Sequence, residues 1–348
     1  MNPLFQRLMR DATRMTQGGD LRAATAAIQA ALAGTDPQAP APEHDTGVID
    51  VAARVVGEVP VQAEPALSDH FAAGSFADLA MRRDYKLYSP PGAGARPLPL
   101  VVLLHGCTQD PDDFAAGTAM NALARQHGFY VLYPAQSQQA NPQRCWNWFK
   151  HSHQQRGRGE PALLAGMTRA VMAGHGIDAD RVYVAGLSAG GAMAAILASA
   201  YPELYAAAGV HSGLAAGSAR DLPSALAAMR EGGPLPDASG HGVPTIVFHG
   251  EGDTTVHPAN GEQVAAASAG TDAVADVTQA SPPGGRRYSR SVYRRPGGGV
   301  VAEHWRVQGA PHAWSGGSAQ GSYTDPRGPD ASAEMLRFFL EHPRRQAQ

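Results

Sequence analysis

The chain has 348 residues and a net charge of −3. That length can bury one large core of about 270 residues with an extension, and the near-neutral charge without a basic block argues against a nucleic-acid partner. No stretch approaches the ~18 apolar residues of a membrane span, so no membrane partner is expected. Two cysteines, Cys107 and Cys145, are too few for a disulfide scaffold and lack the spacing of a zinc site.

The first 75 residues carry no catalytic signature. Residues 1–34 repeat apolar side chains at helical spacing, which predicts a small N-terminal helical hairpin. Residues 35–75 are rich in Pro, Ala, Asp and Glu without periodicity, which indicates a linker. No apolar run near Met1 is long enough for the core of a signal peptide, so a cytoplasmic location is expected. A secreted protein whose leader has been removed is the alternative.

From residue 76 onward, predicted strands alternate with predicted helices. LPLVVLL at 98–104 is a continuous apolar run, typical of a strand in the middle of a parallel sheet. Further strands are predicted at 129–133, 181–185, 206–210, 245–248, 291–294 and 300–307, and helices at 112–126, 161–173, 189–200, 221–230 and 331–341. The alternation predicts an α/β catalytic domain over residues 76–348, with a mostly parallel sheet and helices on both faces.

Residues 186–190 read G-L-S-A-G between a predicted strand and a predicted helix. This is the G-x-S-x-G pattern in the strand-turn-helix context that a nucleophile elbow requires. Ser188 would stand at the carboxyl edge of the sheet, with the Ala189 N–H free to bind an oxyanion. The competing interpretation is an ordinary Gly/Ser loop in a glycine-rich chain.

A serine nucleophile needs a base, and the base needs an orienting acid. In this architecture the acid and then the base follow the nucleophile along the chain. Asp253 lies just past an apolar strand, and His312 lies in the loop after the last strand. Both are carboxyl-end loops, where an open α/β sheet places its ligands, so these two residues are the predicted acid and base. Glu251 is the alternative acid.

Two further sets of residues are candidates around this site. A second oxyanion donor is expected from the glycine-containing loop after strand 98–104, where the Cys107 N–H is best placed. Aromatic side chains near strand ends would wall the substrate cleft, although at least one tryptophan is expected in the core. These candidate substrate-binding residues are Trp146, Trp148, Trp314 and His211.

The two cysteines also lie near the predicted site. Neighbouring carboxyl-end loops of a parallel sheet converge, so Cys107 and Cys145 could form a disulfide that closes a loop of about 38 residues. A pair of reduced thiols is the alternative, and a cytoplasmic location favours it.

Five motifs occur in the order LLHGCTQ, CWNWF, GLSAGGAM, HGEGD and GAPHAWSGG. Together they resemble the polyhydroxybutyrate depolymerase family of esterases over roughly residues 80–342. The resemblance implies an α/β-hydrolase fold and serine ester hydrolysis with no metal and no cofactor. It carries over Ser188 as nucleophile, Asp253 as acid, His312 as base and Cys107 as oxyanion donor.

The expected function is a serine carboxylesterase acting on polyester or oligoester bonds of the 3-hydroxybutyrate kind. The family also contains feruloyl and acetylxylan esterases, so one of these specificities is the alternative. A non-catalytic protein that docks on polyester granules through residues 1–34 is a rival from another class. The chain shows no Thr/Ser-rich spacer and no separate polymer-binding domain, which favours soluble oligoesters over crystalline polymer as substrates.

Overall fold

The computed structural model describes residues 69–78, 81–234 and 242–344. The helical hairpin predicted at 1–34 and most of the linker predicted at 35–75 lie outside these residues. The described residues form a ten-stranded sheet, a two-stranded sheet and seven α-helices.

Strands and helices alternate along most of the described chain. The strands are β1 (His70–Ala77), β2 (Arg82–Ser89), β3 (Leu98–Leu104), β4 (Tyr130–Pro134), β5 (Ile177–Leu187), β6 (Ala207–His211), β7 (Thr245–Gly250), β8 (Val274–Ala280), β9 (Tyr288–Arg294), β10 (Val300–Val307), β11 (Trp314–Ser315) and β12 (Thr324–Asp325). The helices are α1 (Pro111–Thr118), α2 (Met120–His127), α3 (Gly159–Gly174), α4 (Ala189–Ala200), α5 (Leu222–Glu231), α6 (Ala259–Ala269) and α7 (Ala331–Glu341).

The large sheet is parallel in its centre and antiparallel at its ends. Its strand order is β1-β2-β4-β3-β5-β6-β7-β10-β9-β8. The run from β4 to β10 is parallel throughout, whereas β1 and β2 at one end and β9 and β8 at the other pair antiparallel. The predicted mostly parallel sheet is therefore confirmed.

Strand β3 shows why helices cover both faces. All seven of its residues are buried. Leu100, Val102 and Leu104 pack into one core cluster with side chains of α3 and α4, and Val101 and Leu103 pack into another with side chains of α1, α2 and α7. Burying each such side chain stabilises the fold by roughly 1.5–3 kcal/mol.

The helix predicted at 112–126 is two helices, α1 and α2. Ala119 between them adopts a left-handed conformation with φ 52°. Phe114 and Met120 are both buried in the same core cluster. Six positions apart on a continuous helix, they would point in directions about 120° apart, and the break lets both reach the sheet.

Helix α6 and strand β8 were not predicted from the sequence. Most of the residues in α6 are small, so its apolar spacing is weak, and every residue of β8 is exposed at the edge of the sheet. Helix α6 does bury one face at helical spacing, but small or polar side chains occupy most of the buried positions, so hydrophobicity does not reveal it.

The large sheet includes residues upstream of 76, where the sequence predicted the start of the catalytic domain. Residues 70–75, assigned to the linker, belong to β1, which pairs with β2 from His70↔Ser89 to Ala77↔Arg82. The Phe71 ring contacts the Tyr133 ring at 5.5 Å between centroids. The sequence HFAAGSFA has no period-two alternation, and pairing with β2 holds it extended instead.

A chain shortened to begin at Asp69 should melt at a higher temperature than one shortened to begin at Phe76. The shorter chain loses most of β1 and the Phe71–Tyr133 contact, so β2 becomes the edge strand and pairs with β4 alone. Thermal unfolding followed by circular dichroism measures the difference. Equal melting temperatures would mean that residues 70–75 contribute nothing to the fold.

Candidate active site

Ser188 occupies the turn between β5 and α4. Its backbone has φ 57° and ψ −119°, and its N–H donates to the His211 carbonyl at 2.9 Å. A non-glycine residue in such a conformation costs about 1–3 kcal/mol, so the surroundings must impose it. The predicted strand-turn-helix context is confirmed.

Two glycines allow this turn. A Cβ on Gly190 would lie 2.1 Å from the Leu104 carbonyl oxygen, and a Cβ on Gly186 would lie 2.4 Å from the Gly190 carbonyl carbon. No side chain fits at either position. The first turn of α4 therefore packs directly against the ends of β5 and β3.

The predicted acid and base are bonded to each other. Nδ1 of His312 lies 2.6 Å from Oδ2 of Asp253, and the Asp253 side chain is fully buried. The N–H groups of Thr255 and Val256 each donate to Oδ1 of Asp253 at 2.9 Å. His312 and Ser188 line the same cavity.

Asp253 stays ionised in this setting. Burial by itself would raise the pKa of its carboxyl, but the imidazoles of His249 and His312 and the Val256 N–H together hold that pKa well below its usual range. The carboxylate can therefore accept a hydrogen bond from the protonated Nδ1 of His312. That tautomer leaves Nε2 of the imidazole as a proton acceptor.

His249 supports the loop that carries Asp253. Its Nε2 lies 2.8 Å from the Val256 carbonyl oxygen and 3.5 Å from Oδ2 of Asp253. The ring is buried, so it supports this loop from the interior. The alternative acid, Glu251, instead accepts a hydrogen bond from Arg306 at 3.0 Å.

His105 sets the orientation of the Gly106–Cys107 peptide. Its Nε2 accepts the Gln136 N–H at 3.1 Å, so Nδ1 carries the hydrogen and donates to the Gly106 carbonyl at 2.7 Å. Burial lowers the pKa of His105 to about 4, which keeps the ring neutral. Since C=O and N–H point in opposite directions across a trans peptide, the Cys107 N–H is held away from His105. Cys107 and Ala189 both line the cavity.

A disulfide joins Cys107 to Cys145, with 4.2 Å between their Cα atoms. The predicted pairing is confirmed. Beside it, the Thr108 N–H donates to the Gln143 carbonyl at 2.6 Å. The loop after β3, which contains Cys107 and Thr108, is thus tied to the loop between β4 and α3.

Glu160 anchors that second loop from below. Its side chain is fully buried and accepts the Asn147 N–H at 2.7 Å and the Gln136 amide at 2.6 Å. Burial by itself would raise the pKa of Glu160, but hydrogen bonds and contacts from His153, Gln136 and Asn147 outweigh it and lower the pKa. Sequence reasoning missed this residue because a single acid at a helix start forms no pattern.

Only one of the four predicted wall residues lines the cavity. Trp148 does, but Trp146, Trp314 and His211 are interior residues. The Trp146 indole donates to the His105 carbonyl at 3.1 Å, and the Trp314 indole stacks on His211 at 5.0 Å. These rings support the loops from beneath, because large apolar surfaces near strand ends are buried between the sheet and its loops.

The cavity measures about 670 Å³, and its other walls come from residues that the sequence did not single out. Leu222, Leu226 and Met229 project from α5, and Tyr323 projects from the loop before β12. None of the described residues that line the cavity is Asp, Glu, Lys or Arg. The cavity therefore suits a neutral, largely apolar ligand.

Among the described residues, no group of three or more His, Cys, Asp or Glu side chains is arranged to hold a metal ion. No helix in the same part of the chain is long and apolar enough to cross a membrane.

The parallel sheet, the serine on its β5–α4 turn and the acid–base pair on later carboxyl-end loops define an α/β-hydrolase. The solved structure of an acetyl xylan esterase from Aspergillus awamori shares this fold. It matches with a TM-score of 0.58 and 22% identity over 69% of this chain and 94% of that chain. The Esterase PHB depolymerase family matches residues 83–290, and the chain belongs to this family. The resemblance seen in the five motifs is confirmed.

Two curated relatives show the range of that family. Poly(3-hydroxyalkanoate) depolymerase C of Paucimonas lemoignei is 34% identical over 230 residues, which is 62% of this chain and 54% of the relative. Feruloyl esterase B of Neurospora crassa is 33% identical over 141 residues, or 39% and 47% of the two chains. The chain spans about half the length of the curated relatives it matches.

The unfolded, unreduced protein should show no titratable thiol, and Cys145→Ser should destabilise it by about 3–4 kcal/mol. Turnover should also fall, because Cys107, the predicted oxyanion donor, loses its link to the neighbouring loop. Thiol titration, urea unfolding and initial rates of ester hydrolysis check the three results. Two free thiols per chain would contradict the disulfide.

Glu160→Gln should lower the free energy of unfolding at pH 7 and reduce the loss of that free energy as the pH falls. The folded-state pKa of Glu160 is lowered below its unfolded value of about 4.3, so the stability it contributes is present above that pH and lost as the pH falls. Urea unfolding from pH ~7 down to ~3 measures this. The exposed Glu231→Gln is the control and should leave both stability and slope near those of the parent. If the free energy of unfolding of Glu160→Gln depends on pH as steeply as that of the parent, the ionised Glu160 carboxylate does not stabilise the fold.

Proposed function

We propose that the chain is a serine carboxylesterase in which Ser188 is the nucleophile, His312 the base and Asp253 the orienting acid. The observation that carries the proposal is the 2.6 Å contact between His312 Nδ1 and Asp253 Oδ2, beside the cavity that His312 shares with Ser188. Membership of the esterase family supports it independently.

The reaction runs through an acyl-enzyme. Ser188 Oγ attacks the ester carbonyl while His312 Nε2 takes its proton, and the resulting oxyanion rests on the N–H groups of Cys107 and Ala189. His312 then gives the proton to the departing alcohol. A water molecule, deprotonated by the same imidazole, hydrolyses the acyl-enzyme and restores Ser188. Each oxyanion donor is worth ~3–4 kcal/mol in other enzymes.

Oligoesters of the 3-hydroxybutyrate kind are the proposed substrates, and an ester substrate is the only partner that the mechanism requires. The uncharged, largely apolar cavity and the poly(3-hydroxyalkanoate) depolymerase relative support this class. An aryl ester is the second candidate, because Trp148 and Phe149 form an edge-to-face pair at the cavity wall where an aromatic acyl group could pack. Comparing 3-hydroxybutyrate oligomers, methyl ferulate and acetylated xylan as substrates separates the specificities.

The disulfide bears on where the protein works. We infer an oxidising compartment in preference to the cytoplasmic location that the sequence suggested, because disulfides persist in oxidising environments and are rare in the cytosol. Trapping thiols in intact cells tests the inference. Two reduced cysteines in the native protein would restore the cytoplasmic prediction.

Ser188→Ala should reduce hydrolysis of p-nitrophenyl butyrate by roughly 10⁴-fold or more without unfolding the protein. Asp253→Asn and His312→Ala should each cripple turnover, and adding either to Ser188→Ala should change little, because the three residues act as a unit. Initial rates and circular dichroism give both readouts.

Glu251→Gln is the matched control and should retain activity, since Glu251 pairs with Arg306 at the surface. If Glu251→Gln lowers turnover as much as Asp253→Asn does, Glu251 must be considered the orienting acid. Turnover that a serine-reactive phosphonate abolishes is expected of this enzyme. If the protein shows no such turnover, it is a binding protein and not an enzyme.

A further inference from the structure

Tyr323 is held in an unusual backbone conformation beside the candidate active site. Its φ is 51°, in the left-handed region that a bulky side chain disfavours. Such strain persists only where neighbouring structure imposes it, and it concentrates at ligand-binding positions.

The backbone on both sides of Tyr323 is fixed. Ser322 donates to the Asp113 carboxylate through its N–H at 2.7 Å and its hydroxyl at 2.5 Å. The Tyr323 carbonyl accepts the Trp314 N–H at 2.7 Å, and the next residue, Thr324, begins β12. The tyrosine therefore has no freedom to relax its φ.

Burial of the Tyr323 ring does little to offset the backbone strain, because much of the ring stays exposed. Tyr323 is 47% exposed and lines the cavity that contains Ser188 and His312. Its hydroxyl lies 3.2 Å from Oγ1 of Thr108, the residue after the oxyanion donor Cys107. A strained backbone that leaves a large aromatic side chain in a cleft presents that side chain to a ligand.

The chemistry of the surroundings defines the ligand. Across the described lining there is no carboxylate, lysine or arginine, and two leucines of α5, Leu222 and Leu226, are 55% and 45% exposed. Aliphatic segments of a substrate would lie on these leucines and the tyrosine ring. The phenol has one O–H to donate. The Thr108 hydroxyl donates to the Cys107 carbonyl at 2.6 Å, so Thr108 Oγ1 accepts the Tyr323 O–H in this structure. A substrate carbonyl oxygen beyond the scissile bond would replace Thr108 as the acceptor.

We propose that Tyr323 is a specificity-determining residue that binds the ester unit next to the one being cleaved, so that the site selects neutral aliphatic oligoesters. The phenol donates to the carbonyl oxygen of that neighbouring unit, and the ring packs on its aliphatic part. This inference rests on the proposed esterase function. A substrate with one ester bond gains nothing from Tyr323.

Tyr323→Asn and Tyr323→Phe test the proposal with two substrates, methyl 3-hydroxybutyrate and the methyl ester of its linear trimer. Tyr323→Asn should lose about tenfold in kcat/KM on the trimer, mostly through KM, and change less than about twofold on the single ester. Tyr323→Phe keeps the ring and should lose about 2- to 5-fold on the trimer alone. Equal losses on both substrates, or none on the trimer, would overturn the proposal.

Stability provides a second readout that a merely structural tyrosine would not give. Asparagine tolerates the left-handed region, so Tyr323→Asn should raise Tm by about 2–4 °C while it weakens trimer hydrolysis. The control is Ala119→Asn at an exposed position with φ 52° outside the cavity. It should raise Tm comparably and leave both substrates unaffected. A fall in Tm for Tyr323→Asn would make the ring a packing element and overturn the proposal.

A binding measurement separates this proposal from the proposed function. In the Ser188→Ala protein, calorimetry should show the trimer methyl ester binding about tenfold more weakly once Tyr323→Asn is added. Binding that is indifferent to Tyr323 would overturn the specificity role while hydrolysis by the parent still stood. Binding that depends on Tyr323 without hydrolysis by the parent would uphold the role and reject the esterase. Methyl ferulate losing more than the trimer in Tyr323→Asn would overturn the aliphatic class.

Discussion

The close approach of α4 to β3 is the contact on which the site depends. Gly190 lies so near the Leu104 carbonyl oxygen that any Cβ would collide with it. This contact imposes the tight turn in which Ser188 adopts its strained backbone conformation. It also places the first N–H of α4 beside the loop that follows β3. Because a helix terminus carries unpaired N–H groups, one packing contact positions both the half-buried Ser188 and the Ala189 N–H, the proposed oxyanion donor.

Around that contact, the site is assembled from loops, and buried polar groups hold each loop in place. Glu160 receives donors from the loop that carries Trp148, His249 binds the carbonyl of Val256 near Asp253, and neutral His105 orients the peptide before Cys107. Each buried polar group would be costly if it were left without a partner. Glu160 and His105 have partners for their polar atoms, so each keeps its loop in one arrangement, which a catalytic geometry requires. His249 holds its loop through Nε2 alone, because its buried Nδ1 has no hydrogen-bond partner among the described residues.

Burial also determines the charge state of the interior histidines. Burial lowers the pKa of His211 and of His304 to about 3 each, so both rings are neutral where the protein is folded. His211 accepts the Ser315 N–H at 2.9 Å and lies between Phe248 and Trp314. Its proximity to the site reflects support of the loop after His312 and not contact with a ligand.

Much of the fold followed from local pattern. The continuous apolar run of β3, the glycines around Ser188 and the carboxyl-end positions of Asp253 and His312 each carry their information in a few adjacent residues. Burial, backbone sterics and chain order act within such stretches, so the sequence alone predicted the sheet, the elbow and the pair that meets at 2.6 Å. The sequence left the two cysteines open between a disulfide and a pair of reduced thiols, and the structure has the disulfide.

Tertiary structure decided which side chains face the cavity. Trp146 and Trp148 stand two residues apart in one motif, yet the first is fully buried and the second lines the cavity. Tyr323 reaches the site because Ser322 is bound by Asp113, a residue 209 positions earlier in the chain. The break at Ala119 and the first strand, β1, likewise depend on partners elsewhere. The direction of a loop side chain is set by contacts between distant segments, and no local periodicity records those contacts.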